Sequence, residues 1–447
     1  MLHKKYISPR WWLALLAGIW VVGNCLAQEG IQAASPAKVE VRQTGGRWQL
    51  FVNQKPFFIK GAGLEFGDQE KLAASGGNSF RTWRTDHGQE VLDRAQKNGL
   101  LVTMGLDVSR ERHGFDYSNA DDVAKQLAEI KVQVLKFKDH PALLMWDIGN
   151  ELNLNSHNPK VWDAVNDISK MIHQVDPNHP TTTSLAGISK DLVNEIKRRA
   201  PDLDLLCFQS YADIVNLPRE LRDSGWTGPY AVTEWGATGH WECGRTDWDA
   251  PLEDTSSVKA ELYGRRYKIA IASDTTNCLG SYVFLWGQKQ ERTPTWYGMF
   301  LPTGEATETV DVMQHLWTGS WPAFRSPQIK SVSLDGKTAR QNIHLNAGQS
   351  YAAKVLAQPP ADASLKYSWE IMEESSAQTT GGDFESRPQT LPGLVADGAA
   401  AAAHLKAPAK PGAYRLFVYV LDTHGKAAYA NIPFYVDAKP ATVAAQP

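Results

Sequence analysis

The stretch Ala142-Leu-Leu-Met-Trp-Asp-Ile-Gly-Asn-Glu151 decides the fold. It opens as an apolar run of the kind that forms a strand buried on both faces, as in parallel sheets covered by helices. It ends abruptly in Gly149, Asn150 and Glu151, where the chain must leave the sheet. An amide and a carboxylate at the mouth of a buried strand are costly unless partners meet them. A second stretch, Tyr230-Ala-Val-Thr-Glu-Trp-Gly236, repeats the pattern: a short apolar strand delivers one glutamate, Glu234, at its exit.

Between and around these anchors, strands alternate with helices. Eight candidate strands run over Phe57–Gly61, Ser79–Trp83, Leu100–Leu106, Ala142–Ile148, Thr181–Leu185, Leu203–Gln209, Tyr230–Thr233 and Gly280–Trp286. The clearest helix spans Asp121 to Lys138, where Val123, Leu127, Ile130, Val134 and Phe137 recur at steps of four and three. His140-Pro141 ends it, because the residue before a proline is pushed out of the helical region. Lys97-Asn98-Gly99 closes the helix through Val91, Leu92 and Ala95, and Pro159 to Gln174 reads as another. Eight such units predict a closed (β/α)8 TIM barrel over 57–322, since the crossover rules allow few other arrangements.

On either side the character differs. Val39 to Val52 alternates around Gly45-Gly46 and predicts a β-hairpin over 38–56, placed to plug the bottom of the barrel. Pro322 and Pro327 mark a boundary, after which Ile329–Leu334, Gln349–Leu356, Leu365–Ile371, Ala413–Val420 and Tyr429–Val436 are short strand-like runs without helices between them. That pattern predicts an antiparallel, immunoglobulin-like β-sandwich over 328–437. Gly381-Gly382 and the run Ala399 to Ala403 read as loops, and 438–447 as a flexible tail. Each domain should own a core, so a chain ending near Arg325 is expected to leave a folded barrel.

At 447 residues the chain has room for a barrel of ~250 residues and a smaller module. A net charge of −3 argues against a nucleic-acid partner, which calls for a clustered basic surface. His3, Lys4, Lys5 and Arg10 precede the apolar run Trp11 to Val22, and Cys25-Leu26-Ala27 supplies small residues for cleavage before Gln28. Residues 1–27 therefore read as a secretory signal peptide, which places the mature protein in the periplasm or outside the cell. The apolar run is shorter than the ~20 residues of a membrane-spanning helix. Gln28 to Ala37 is small and polar, and reads as a disordered leader. Past Gln28, Cys207, Cys243 and Cys278 remain; Cys207 reads as a buried thiol, and Cys243 with Cys278 is open to pairing.

Two glutamates at the ends of two strands of one parallel barrel are the equipment for glycoside hydrolysis. Strands four and seven lie across the mouth, and a carboxyl separation of ~5–5.5 Å is the retaining geometry. Alone, Thr233-Glu-Trp-Gly236 is a weak signal and Gly149-Asn-Glu151 a moderate one. Their order and their placement at strand exits give them force. No P-loop, dinucleotide fingerprint, zinc motif or Gly-x-Ser-x-Gly elbow is present, and no cofactor or metal is called for.

Trp146-Asp-Ile-Gly-Asn-Glu151 followed by Thr233-Glu-Trp-Gly236 resembles the acid/base and nucleophile strands of glycoside hydrolase clan A, nearest to the barrel domain of family 2. The resemblance covers Phe57 to Gly319. It implies that Glu234 is the nucleophile and Glu151 the acid/base of a retaining β-glycosidase acting on a β-linked oligo- or polysaccharide. It further implies that Asn150 bonds the sugar 2-hydroxyl, that Arg81 holds the nucleophile ionised, and that Tyr211 bonds it. Trp286 is expected to floor the reacting subsite. Arg84, Asp86, Asp107, Arg112 and His113 are candidates for shaping subsites, and Trp235, Trp241, Trp248 and Trp296 for sugar platforms. Family 2 chains carry β-domains ahead of the barrel; here the hairpin before Phe57 stands in that place. The short approach into Phe58-Ile-Lys-Gly61 also resembles the fungal-type β-1,3-glucanosyltransferases of the same clan. Two other readings stand beside hydrolysis: transfer of the glycosyl unit to a sugar by the same residues, and a non-catalytic carbohydrate-binding scaffold, whose sign would be loss of one glutamate.

Overall fold

The computed structural model describes residues 35–438 except 66, 361, 362 and 380. The signal peptide expected over 1–27, and the tail expected over 438–447 apart from its first residue, lie outside the described residues. β1 (Val39–Thr44) and β2 (Arg47–Val52) form the hairpin, and β3 (Lys55–Phe57) adds a third antiparallel strand. Gly45 and Gly46 turn it with φ of 59° and 78°, left-handed at both positions as a tight two-residue hairpin requires. Ala37, Val39 and Leu50 are buried against Ile59, Leu144, Leu205, Ala231 and Leu279, residues at the bottom of the barrel strands. The hairpin sheet thus covers the bottom opening. Ala37, expected within a disordered leader, is part of this apolar layer at 2% exposure.

Among the described residues, eight parallel strands close the barrel. They are β4 (Ile59–Gly63), β5 (Ser79–Arg81), β6 (Leu101–Leu106), β7 (Leu143–Asn150), β8 (Thr181–Ala186), β9 (Leu206–Gln209), β10 (Tyr230–Glu234) and β11 (Cys278–Val283). Around them run α1 (Gln69–Ala74), α2 (Gly88–Lys97), α3 (Ala120–Phe137), α4 (Lys160–Val175), α5 (Lys190–Arg199), α6 (Leu217–Ser224), α7 (Ser256–Ala270) and α8 (Glu308–Thr318). The first barrel strand starts at Ile59 and not at Phe57, which pairs with Leu50 in the hairpin sheet. β7 is buried over its whole length, its polar Asp147 and Asn150 included. In α3 the Asn119 side chain accepts from the N–H groups of Asp121 and Asp122, while Ile130, Val134 and Phe137 face the strands.

Beyond the barrel, two sheets form the sandwich. One runs β13 (Gln328–Leu334), β15 (Ser350–Gln358), β18 (Ala402–Lys406), β17 (Val395–Ala396). The other comprises β12 (Ala306–Thr307), β20 (Lys426–Asp437), β19 (Gly412–Leu421) and β16 (Lys366–Glu373), with β14 (Ile343–Asn346) paired to β20. Trp369, Ile371, Leu405, Leu416, Ile432 and Phe434 fill the space between them. The end of the alanine run, expected as loop, enters β18, where Ala403 and Leu405 alternate inward. Alanine carries little β-propensity, so only the sheet context reveals this strand. Among the described residues, Cys207, Cys243 and Cys278 are free thiols. Cys278 opens β11 at the bottom, whereas Cys243 lies beyond the exit of β10, so the pairing left open by sequence does not form.

The barrel and the sandwich each have a core, yet they are not separable bodies. β12 comes from the last barrel loop and pairs with β20 of the sandwich. Behind it Lys259 Nζ is buried within reach of Glu253 Oε1 (2.6 Å), the carbonyls of Thr295 and Trp296 (both 2.8 Å) and the Tyr429 hydroxyl (3.0 Å). Asn431 Nδ2 donates to the other oxygen of Glu253 at 2.6 Å. Tyr429 and Asn431 belong to the sandwich, so a chain ending at Arg325 leaves this buried ion pair partly unmet and exposed to water. We expect that chain to aggregate or to unfold at a lower temperature than the full chain, read by size-exclusion chromatography and thermal unfolding. A monomeric barrel with an unchanged midpoint would show the seam to be dispensable.

Candidate active site

At the exit of β7 the backbone turns sharply. Gly149 has φ 76°, and a Cβ there would fall 2.6 Å from Leu152 Cδ1, so glycine is required on both counts. Glu151 adopts φ 52° although it carries a side chain. Its N–H donates to the Ser184 carbonyl (2.8 Å) and its own carbonyl accepts from Arg112 Nη1 (2.9 Å), so neighbours hold the unfavourable conformation. The turn swings the carboxyl of Glu151 over the mouth.

Glu234 ends β10 and is met by donors on both oxygens. Oε1 accepts from Trp83 Nε1 (2.8 Å), Gln209 Nε2 (3.1 Å) and Arg81 Nη1 (3.3 Å), and Oε2 accepts from the Tyr211 hydroxyl (2.8 Å). Four donors and no acceptor are the complement of an ionised carboxylate. Burial, then the charge of Glu234, pushes the Tyr211 phenol well above its ordinary pKa, so Tyr211 remains a donor. Arg81 is fully buried and spans the mouth, pairing with Asp147 Oδ2 at 3.1 Å and donating to Asn150 Oδ1 at 2.9 Å. Asn150 Oδ1 also accepts from Gln209 Nε2 at 2.6 Å, which leaves its Nδ2 for the cleft that Asn150 lines.

Glu151 and Glu234 line one cleft of about 880 Å³, within the range of sites that enclose small ligands. Burial first, and then the negative charge of Glu234, raises the Glu151 carboxyl to about 7. Arg112 and Arg81 oppose the shift without reversing it. Two carboxyls of one cleft are thereby set up for different tasks, one to carry a proton near neutral pH and one to accept hydrogen bonds.

Arg81, Asn150 and Tyr211 thus meet around Glu234. Three other sequence candidates do not. Trp286 borders the cleft, but its indole is fully buried against Phe300 and Trp317 with Nε1 donating to Asp68 O, so it offers no face to a ligand. Trp235 is fully buried against Tyr263 and Tyr267, on the helix side of β10. His113 is half-exposed outside the cleft lining, 3.4 Å from Asp383. Of the late-loop tryptophans, Trp241 lines the cleft and is 57% exposed, Trp296 is core, and Trp248 packs on His344 and Tyr435 of the sandwich. Arg84 and Asp107 line the cleft; Arg112 reaches the backbone of Glu151. Sequence reasoning missed Trp83, Gln209 and Phe284. Trp83 follows Arg81 by two positions, Gln209 ends β9 and Phe284 follows β11, so each stands at a strand exit, which was the available signal.

Residues 66–245 match the family model described as "Glycosyl hydrolases family 2, TIM barrel domain". A β-glucuronidase from Streptococcus agalactiae is 25% identical over 244 residues, 44% of this chain and 39% of its own. A β-glucuronidase from Pongo abelii is 25% identical over 184 residues, 36% of this chain and 26% of its own. A mannan endo-1,4-β-mannosidase F from Aspergillus clavatus is 30% identical over 150 residues, 27% of this chain and 34% of its own. The match thus spans well under two thirds of these relatives. Among solved structures, a β-D-glucuronidase from Dictyoglomus thermophilum aligns with a TM-score of 0.50 at 19% identity, covering 64% of this chain and 54% of its own. A Bacteroides uniformis β-glucuronidase 2 aligns with a TM-score of 0.50 at 13% identity, covering 90% of this chain and 48% of its own. These likenesses establish the barrel fold.

The coupling between the two carboxyls can be read without any substrate. In Glu234→Gln the charge beside Glu151 is gone, so its titration midpoint, followed by carbon-13 NMR of the labelled side chain, should fall below the parent value of about 7. An unchanged midpoint would mean that burial alone sets it.

Proposed function

We propose that this chain, whose barrel is of the glycoside hydrolase family 2 type in clan A, is an exported, retaining β-glycosidase. The observation that carries the reading is the pair of carboxyls in one cleft, Glu234 met by four donors and Glu151 raised to about 7. In the first step an oxygen of Glu234 attacks the anomeric carbon, and the bond to the leaving oxygen breaks as Glu151 gives that oxygen its proton. Glu234 is then an ester and carries no charge. The second-largest cause of the raised Glu151 pKa disappears, so Glu151 becomes a better base for the water that enters next. Water attacks the same carbon from the side the leaving group vacated, its proton passes to Glu151, and Glu234 is released with configuration retained. Asn150 Nδ2 is placed for a hydroxyl of the reacting sugar. The leader before Gln28 supports export; among the described residues no helix is long and apolar enough to cross a membrane.

A neutral sugar suits the cleft better than a uronic acid. Its cations already have acidic partners: Arg84 with Glu65 at 2.5 Å, Arg110 with Asp107 at 3.3 Å and Lys289 with Glu291 at 2.8 Å. A substrate carboxylate would therefore meet an acidic side chain beside each of these cations. The same residues would serve glycosyl transfer if a sugar takes the place of water, and product analysis separates the two.

A panel of nitrophenyl β-glycosides with product analysis tests the reading, with neutral sugars expected to outpace the glucuronide. Glu234→Gln should abolish turnover of every substrate. Glu151→Gln should lose ~10²–10⁴-fold on substrates whose leaving group needs a proton. On a nitrophenyl glycoside it should still form the intermediate, and azide should restore turnover with a product of retained configuration. In the parent, kcat/KM should be full while Glu151 is protonated and fall as pH rises through about 7. Equal, unrescuable loss in both variants on the nitrophenyl substrate would sink the assignment of roles.

A further inference from the structure

The sandwich reaches the catalytic cleft through one loop. Between β16 and β17, Gly381, Gly382, Asp383, Phe384 and Glu385 line the same cleft as Glu151 and Glu234. The loop is fastened to the barrel. Glu385 is 5% exposed, and its carboxylate accepts from the Arg292 backbone N–H (3.0 and 3.1 Å), Gln290 Nε2 (3.0 Å) and Ser375 Oγ (2.6 Å). Lys289 Nζ donates to the Gly382 carbonyl at 2.8 Å, and Arg292 Nη1 donates to the Ala377 carbonyl. So anchored, the loop rests on the acid/base. A Cβ on Gly381 would lie 3.2 Å from Glu151 Oε2 and 2.9 Å from Arg112 Nη2, and φ is 63°, so glycine alone brings the backbone this close.

The position of that contact identifies the side of the cleft. An acid/base group protonates the leaving oxygen, so a wall against its carboxyl stands at the scissile bond, beside the leaving group. Phe384 projects from this wall with 87% of its surface in water. A single exposed phenylalanine is ordinary on a protein surface. Here the ring is carried by a loop clamped through a buried carboxylate, next to the acid/base, in the wall of a ligand-sized cleft. We propose that the sandwich loop 381–385 builds the leaving-group subsite, with Phe384 as the platform for the neutral pyranose ring next to the scissile bond.

This rests on the glycosidase reading above, and its test separates the two. The probes are β-linked gluco- and mannodisaccharides and the β-glycosyl fluoride of the same sugar, whose leaving group has no ring. Phe384→Ala should lower the ratio of kcat/KM for the disaccharide to kcat/KM for the fluoride by about 3–10-fold, the size of one stacking contact. Phe384→Trp should restore the ratio, and the thermal midpoint of both variants should match the parent. A ratio unchanged in Phe384→Ala, or an equal fall on both probes, overturns the subsite. A parent enzyme that turns over neither these probes nor any glycoside of the nitrophenyl panel overturns the glycosidase reading and the subsite with it.

Discussion

The mouth of the barrel depends on one buried guanidinium. Arg81 leaves β5 and contacts Asp147 and Asn150 of β7 and Glu234 of β10, so three strands that are not neighbours are tied across the opening. Taking three charges out of water is expensive, and hydrogen bonds to the charged groups offset part of that cost. Asp147 Oδ2 accepts from Ser184 Oγ as well, and Glu234 takes three further donors, while Arg81 Nε and Asp147 Oδ1 are buried without a partner among the described residues. The pKa of Asp147 is nonetheless raised, because burial outweighs the attraction of Arg81. Geometry at the mouth is thus held by groups that cannot relax independently, which is what a site needs when reacting atoms must be placed within a fraction of an ångström.

The two glutamates reach the cleft by different means. Glu234 is the last residue of β10, just past a shift in that strand's register with β9, and its side chain takes the inward side. Glu151 lies past the end of β7 in a left-handed conformation, held by Ser184 and Arg112. Glu234 therefore inherits the rigidity of the sheet, while Glu151 rests on a turn that neighbouring elements keep in place. A proton donor must serve two steps with two geometries, and a position outside the sheet ladder suits that demand.

Much of this was legible in the sequence. The barrel strands were readable because runs such as Leu143 to Ile148 have no polar alternative, and the hairpin because Gly45-Gly46 sits between alternating residues. The faces of the tryptophans were less accessible. Residues in a strand alternate, so Trp235, next to inward-facing Glu234, must point to the helices, whereas Trp83, two positions from Arg81, shares its side. The family resemblance suggested Trp286 and a place in a late loop suggested Trp235; for Trp235 the period-two rule was the better guide. β14 and β18 stayed hidden because their residues, Ile343–Asn346 and Ala402–Lys406, have too few bulky β-formers to stand out from loop. The loop at 381–385 could not be placed from sequence at all. Two glycines and a phenylalanine say nothing of a barrel mouth far away along the chain until the fold brings it there.

The pairing of β12 with β20 also bears on the order in which the molecule matures. During synthesis both glutamates and all eight barrel strands leave the ribosome before the sandwich exists. Until β20 appears, the last barrel loop has no strand to dock on, and the loop at 381–385 has no sheet to hold it against Glu151. A nascent chain therefore holds all eight barrel strands while one wall of the cleft is missing. Completion of the far domain and completion of the reaction chamber become the same event, so an unfinished chain carries the reactive groups without the enclosure in which they are arranged to work.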